Sequence, residues 1–409
     1  MKLKLHWQIL TAMVAGTVFA LIFGQASSFA EPLGTLFIRL LKMIIVPLVV
    51  FSMVTGVASA GNPKNLGRLG IKTFAYYILT SLAAILIGLT LVNLIQPGAA
   101  ANLRMQAAPT PPAPPDTILP MLLRIVPENP VAAAAEGDML GILFFSILFG
   151  LGLTQVTPTV QSRLLPVMES GFQVMMKITH LIIRLAPLGV FGLMVGLVNQ
   201  NMGSGFFKAV GLYMVTIALG LSLHLFVVLP AVYYFFMRKN PVIQFGHMAS
   251  ALATVFATSS SVATLPVTLE CVEQNAKVSN KIAGFVLPLG ATVNMDGTAL
   301  YECAGVLFIA QVLKIPLGIE QQLIVVITAL LASIGTAAIP SAGLVMIFIV
   351  LDAVGLQSDM IPMIVGIMLA VDRPLDMYRG IVNIFSDSVG AVVIAQSENE
   401  IAPDPGGGG

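Results

Sequence analysis

The chain reads as long apolar stretches separated by short polar breaks, at roughly 7–30, 36–59, 71–95, 139–156, 164–198 and 207–237. A bilayer's hydrocarbon layer takes about 20 helical residues to cross, so each stretch is expected to span it with some tilt. Basic residues fall at alternate ends of these runs: Lys2 and Lys4, then Lys64, Arg68 and Lys72, then Arg238 and Lys239. Cytoplasmic loops are enriched in Lys and Arg, which puts the N-terminus, the 60–72 connection and the 238–242 connection on that side.

After residue 242 the pattern changes. Two apolar segments are broken at their centres, one at Thr258-Ser-Ser-Ser-Val-Ala-Thr-Leu-Pro266 and one at Ser333-Ile-Gly-Thr-Ala-Ala-Ile-Pro-Ser-Ala-Gly343. Each reads as two half-length helices meeting at a tip. Paired interruptions of this kind point to a transporter site, where half-helix ends and unwound backbone hold substrate and ions.

Between them lies Leu287-Pro-Leu-Gly-Ala-Thr-Val-Asn-Met-Asp-Gly-Thr-Ala-Leu-Tyr-Glu302, which packs Asn294, Asp296, Glu302, Thr292 and Thr298 into apolar sequence. Unpaired polar groups in hydrocarbon cost several kcal/mol, so such a cluster belongs where a helix is interrupted and lines a polar cavity. Gly290 and Gly297 permit the interruption. The freed carbonyls with Asn294 and Asp296 form a set of hard oxygen ligands suited to a dehydrated cation such as sodium.

The last apolar span carries Asp372, Asp376, Arg379, Asn383 and Asp387. At 3.6 residues per turn all five fall within a sector of roughly 80 degrees on one helix face. Such a stripe does not face lipid; it is either a seam between helices or a transport path. Arg379 suits a carboxylate through its planar fork, and Asp376 suits an ammonium. Together they fit a zwitterion bearing an extra acid group.

Composition supports the membrane assignment. Hydrophobic residues make up 57% of the 409 and charged residues only 10%, against about 25% charged in a soluble domain. The net charge of +1 gives no footing for a nucleic-acid partner. Cys271 and Cys303 sit in apolar or membrane-proximal sequence and suggest neither a disulfide framework nor a metal site. The first apolar run lacks a convincing Ala-x-Ala cleavage site and is read as a retained span. The proline-rich, nearly uncharged 97–118 connection is expected to be an extended external loop, and the tail from Asp404 is expected to be disordered.

In these motifs the chain resembles the glutamate/aspartate transporter family, the dicarboxylate/amino acid:cation symporters. The matching pieces are Ser259-Ser260-Ser261 with Thr264-Leu-Pro266, Asn294-Met-Asp-Gly-Thr298, Ser333-Ile-Gly-Thr336 with Pro340, Tyr77-Ile-Leu-Thr-Ser81, and Asp376-x-x-Arg379-x-x-x-Asn383-x-x-x-Asp387. The resemblance covers essentially the whole chain. It implies an all-α polytopic membrane protein with eight transmembrane helices and two re-entrant hairpins, around Ser260 and Pro340. It further implies an elevator-type homotrimer in the cytoplasmic (inner) membrane, surrounded by lipid, with both termini cytoplasmic. On that basis residues 1–70 and 119–206 form the scaffold. Residues 71–118, 207–242 and 243–400 form the transport domain, and 401–409 a tail.

The resemblance also implies roles. The substrate's main-chain carboxylate is expected at Ser261 and Asn383, its ammonium at Asp376 and hairpin carbonyls, and its side-chain carboxylate at Arg379, Thr298 and the backbone near Gly343. Ser260, Ala338, Ile339 and Gly380 are placed beside it. One Na+ is expected at Gly290, Asn294, Asn383 and Asp387, a second at Thr292, Ser333, Ile334 and Thr336, and a third at Tyr77, Thr80, Ser81, Asn294 and Asp296. Glu302 stands where proton-coupled members have glutamate. Burial disfavours the carboxylate form, so Glu302 is expected to carry a co-transported H+; the alternative is a permanently protonated structural glutamate.

Two departures stand out. The family's arginine near Asp376 falls on Ser259 or Met377 here, and Arg373 on the flank of the same face is the candidate substitute. Gly380 replaces a common threonine, which leaves aspartate and glutamate equally open. A dicarboxylate such as succinate would use Arg379 but not Asp376; a neutral amino acid would not need Arg379. An ion channel with anion conductance is the reading from another class. An intramembrane enzyme lacks an activated nucleophile, because His224 and His247 lie in segments separate from the hairpin serines.

Overall fold

Where an apolar run leaves the backbone no water to bond, helix satisfies every N–H and C=O internally, and proline, glycine or a capping hydroxyl decides where it stops. The computed structural model describes residues 5–59, 63–101, 126–136, 138–199, 204–335 and 342–401. Among them the chain is helical apart from turns and an antiparallel bridge between Val278 and Ile401. In chain order the α-helices are α1 (Leu5–Phe23), α2 (Glu31–Ser59), α3 (Pro63–Ile95), α4 (Pro130–Glu136), α5 (Met139–Leu153), α6 (Pro158–Arg184), α7 (Ala186–Asn199), α8 (Ser204–Leu223), α9 (Leu229–Met237), α10 (Val242–Thr258), α11 (Ser261–Glu270), α12 (Asn280–Val293), α13 (Asp296–Val312), α14 (Ile319–Gly335), α15 (Ala342–Ala353) and α16 (Ile361–Glu398).

Among the described residues the helical stretches Thr11–Ala58, Arg68–Ala100, Lys208–Met237 and Val371–Glu398 are each long and apolar enough to cross a membrane. The bent pair α6–α7 makes a further one. This is the architecture of a polytopic helical membrane protein.

Two of the apolar runs are not single long helices. The 164–198 run divides into α6 and α7, meeting at 53°. Pro187 has no N–H to give and its ring disfavours helical geometry just before it, so Leu185 N bonds to Ile182 O at 2.9 Å in a tighter turn. The 139–156 run yields the 15 residues of α5. The Thr154 hydroxyl takes the Leu151 carbonyl at 2.7 Å, and Thr157, preceding Pro158, is steered out of helix.

Each interrupted segment divides into two helices. α10 and α11 pack against each other around Ser259, whose φ of +53° is left-handed, and Ser260, which caps α11 by accepting the Ala263 amide at 3.2 Å. α14 and α15 pack against each other and against α13. Their tip, with Thr336, Ala338, Ile339 and Pro340, lies outside the described residues. Among the described residues the four legs run 17, 10, 17 and 12 residues, at or below the shortest length that spans a bilayer. Of the proline-rich 97–118 connection, Pro97–Ala100 forms a 3-10 turn whose Gly98 amide donates to Gln311 Oε1 at 3.0 Å; residues 102–125 and the tail lie outside the description. α12 stops at Asn294, extended at φ −95° and ψ 91°, and α13 restarts at Asp296. α13 is buried along almost its whole length, wedged between α3 and α16.

Candidate substrate and cation site

The α12–α13 break leaves Asn294 and Asp296 pointing into a packed interior instead of along a helix surface. Asn294 Nδ2 donates to Asp387 Oδ1 at 2.8 Å and to Ser386 Oγ at 3.1 Å. Its Oδ1 is buried without a hydrogen-bond partner among the described residues. Asp296 Oδ1 accepts Ser81 Oγ at 2.6 Å from α3, and its Oδ2 accepts Ser386 Oγ at 2.7 Å. The Gly297 amide donates to Asn383 Oδ1 at 2.8 Å, and Asn383 Nδ2 reaches Thr298 Oγ1 at 3.4 Å. So α3, α12, α13 and α16 are stitched together by the residues that the sequence singles out.

One turn up the stripe, Arg379 is fully buried. Its Nη2 donates to Asp376 Oδ1 at 2.7 Å and lies 3.1 Å from Asp372 Oδ1. The guanidinium stands 3.8 Å from the centroid of the Tyr301 ring, a cation–π contact that desolvation strengthens. Its Nε and Nη1 are buried with no acceptor among the described residues, and a Cβ on Gly343 would lie 3.0 Å from Nη1. An idle Nη1 on a buried guanidinium, beside open backbone, is a donor that an incoming carboxylate can take. Arg373 Nη1 reaches the other oxygen of Asp376 at 3.4 Å.

Of the remaining candidates, Tyr77 Oη donates to Val286 O at 2.7 Å and Thr80 Oγ1 to Tyr76 O at 3.1 Å, both beside the Ser81–Asp296 pair. Ser333 is buried and donates to Leu330 O at 2.9 Å, while half-buried Thr292 donates to Leu289 O at 3.0 Å; Ile334 is half-buried beside Ser333. Each hydroxyl keeps lone pairs for a cation. Ser261 and Glu302 are buried. A Cβ on Gly380 would meet Val255 Cγ2 at 2.8 Å, so the missing threonine side chain is replaced by a valine from α10.

The stripe residue Asp372, fully buried, is a second carboxylate on Arg379, which the sequence reading did not assign. Ser386 was missed as well, although it projects about 20 degrees outside the sector of the five polar residues at 100 degrees per residue. His224, buried, sits 2.9 Å from Asp296 Oδ2 through Nε2. Nothing but its polarity inside an apolar run could have flagged it.

Charge is the governing feature. Five buried carboxyl groups, Asp296, Glu302, Asp372, Asp376 and Asp387, face a single buried guanidinium among the described residues. Removing isolated ions from water costs several kcal/mol each unless they are paired or neutralised. Among the described residues no three His, Cys, Asp or Glu side chains converge on one point. The oxygens on offer to a cation here are carboxylate, amide, hydroxyl and carbonyl, a hard donor set.

The sequence profile described as the sodium:dicarboxylate symporter family matches residues 5–397. The human excitatory amino acid transporter 3 is 34% identical over 456 residues, covering 96% of this chain and 86% of its own length. The Escherichia coli (strain K12) proton/glutamate-aspartate symporter is 35% identical over 418 residues, covering 98% and 94%. The human neutral amino acid transporter B(0) is 36% identical over 412 residues, covering 92% and 75%.

Proposed function

The chain belongs to the sodium:dicarboxylate symporter family, and on that premise we propose that it takes up acidic amino acids, L-glutamate or L-aspartate, together with Na+ and H+. It is a secondary active transporter of the cytoplasmic (inner) membrane, not an enzyme. The observation that carries the reading is the buried imbalance of five carboxyl groups against Arg379. Cations that enter with the substrate neutralise it, so each ligand lowers the desolvation cost of the other and binding is mutual.

The substrate's side-chain carboxylate takes the idle Nη1 of Arg379, beside Thr298 and the Gly343 backbone, drawing the guanidinium away from Asp376. Asp376, still held from its far side by Arg373, turns to the substrate ammonium. The main-chain carboxylate meets Ser261 and Asn383, with Ser260, Ala338, Ile339 and Gly380 lining the pocket. One Na+ uses Asn294, Asp387, Asn383 and the Gly290 carbonyl; the idle Asn294 Oδ1 is the atom that most needs it. Others use Thr292, Ser333, Ile334 and Thr336, and Tyr77, Thr80, Ser81, Asn294 and Asp296. Glu302 carries the proton.

We place these sites in a mobile domain built from residues 71–118, 207–242 and 243–400, sliding against a scaffold of 1–70 and 119–206 in a homotrimer of eight-span subunits with two re-entrant hairpins and cytoplasmic termini. In support, every candidate side chain comes from the first set of segments and none from the second. The hairpin legs are also short for spans, at 17, 10, 17 and 12 described residues.

Uptake of radiolabelled aspartate, glutamate and succinate into proteoliposomes tests the substrate. Sodium-driven uptake of one or both amino acids, with weak competition by succinate, is expected. Succinate alone would mean that Asp376 has no ammonium to bind, and preference for a neutral amino acid would remove Arg379 from its role.

A further inference from the structure

His224 is the feature that the mechanism above does not use. α8 runs regularly to Leu223, then widens into a π turn over His224–Val228 before α9 begins at Leu229. Pro230, in the first turn of α9, cannot donate to the turn behind it and its ring crowds that turn's carbonyl. One extra residue in the ladder relieves both, and such π bulges recur at functional sites. The bulge opens where the chain passes α13. There the His224 ring is fully buried, with Nε2 at 2.9 Å from Asp296 Oδ2.

A carboxylate only accepts hydrogen bonds, so with Asp296 ionised the ring hydrogen sits on Nε2. Nδ1 is buried with no partner among the described residues. Each carboxylate oxygen has roughly two lone-pair directions. Oδ2 spends both, on His224 Nε2 and on Ser386 Oγ at 2.7 Å. Oδ1 spends one, on Ser81 Oγ at 2.6 Å. A single direction is left, on the oxygen that faces Ser81 on α3.

We propose that His224 is a positioning residue for cation coupling: it occupies Asp296 Oδ2, so that Oδ1 alone is offered to the ion. This rests on the assignment of Asp296 to a sodium site. A one-oxygen carboxylate with hydroxyl and amide neighbours suits Na+, whereas two free carboxylate oxygens invite the bidentate grip typical of Ca2+. His224 thereby sets both the affinity for Na+ and the rejection of divalent ions.

The test compares full-length wild type with His224→Leu, which removes the donor, and His224→Gln, whose amide nitrogen reaches about as far as Nε2. The readouts are the sodium-dependent rise in melting temperature in detergent without substrate, its competition by Ca2+, and uptake kinetics. For His224→Leu the sodium half-saturation is expected to rise about 10- to 100-fold, the loss typical of a hydrogen bond to a charged group. Substrate KM at saturating Na+ should stay near wild type, and Ca2+ should become a competitor. His224→Gln should recover most of the sodium affinity. The proposal is overturned if His224→Leu titrates with Na+ as wild type does, or if Gln and Leu are impaired alike. Where His224→Leu does not accumulate, His224→Gln against the shorter His224→Asn decides: equal sodium affinity refutes positioning. A wild type that Na+ does not stabilise withdraws the sodium site itself, an outcome distinct from a sodium-binding protein indifferent to His224.

Discussion

Replacing Gly290 by alanine puts one methyl group where the proposed cation site has no room. A Cβ there would overlap Asp387 Oδ1 and stand 2.7 Å from Tyr77 Oη. Neither neighbour can retreat: Asp387 is buried and held by Asn294 Nδ2 at 2.8 Å, and Tyr77 Oη is tied to Val286 O at 2.7 Å. Overpacking a tight interior by one methyl costs about 1–3 kcal/mol. If that strain is relieved by turning the Asp387 carboxylate, sodium affinity falls about 5- to 150-fold. The assay is sodium titration of thermal stability in detergent alongside sodium titration of uptake. Gly284→Ala is the control, since that glycine lies in the same helix and its Cβ would meet nothing within 4 Å. Wild-type sodium dependence in a folded Gly290→Ala protein would refute the placement of an ion between Gly290 and Asp387.

Arg379→Lys keeps the charge but loses the planar guanidinium whose Nη2 lies 2.7 and 3.1 Å from Asp376 and Asp372; acidic substrate affinity is expected to fall at least about 30-fold, read by competition uptake. Gly380→Thr drives a side chain into Val255 Cγ2, which a Cβ alone already meets at 2.8 Å. Substrate KM should rise, and adding Val255→Ala should restore most of it. Glu302→Gln mimics the protonated carboxyl. Wild-type uptake should decline as pH rises, because loading needs the proton, and the variant should be flat across the same range.

The polar architecture was legible in the sequence because hydrocarbon makes every buried polar residue an anomaly. The 80-degree stripe on α16 and the α12–α13 break announce themselves by violating an apolar pattern, and Asn294 does meet Asp387 as Arg379 meets Asp376. Helix ends inside apolar runs were not legible in the same way. The bend at Leu185 follows from a single proline whose effect composition cannot distinguish from an ordinary kink. Partner choice was hidden too. Arg379 was read as waiting for a substrate carboxylate, yet it is held by Asp376 and Asp372, because an unpaired buried guanidinium takes the nearest anion. Pairing across 72 residues, as between His224 and Asp296, is set by packing, and no periodicity encodes it.

The central claim is that cations entering with the substrate balance the buried carboxylates. The most direct measurement is the steady-state accumulation ratio of aspartate or glutamate in proteoliposomes as the imposed Na+ ratio is varied at fixed pH and voltage. The account predicts a steep rise, as a power of the Na+ ratio greater than one, because more than one Na+ moves with each substrate. An accumulation ratio that does not change with the Na+ ratio would contradict it.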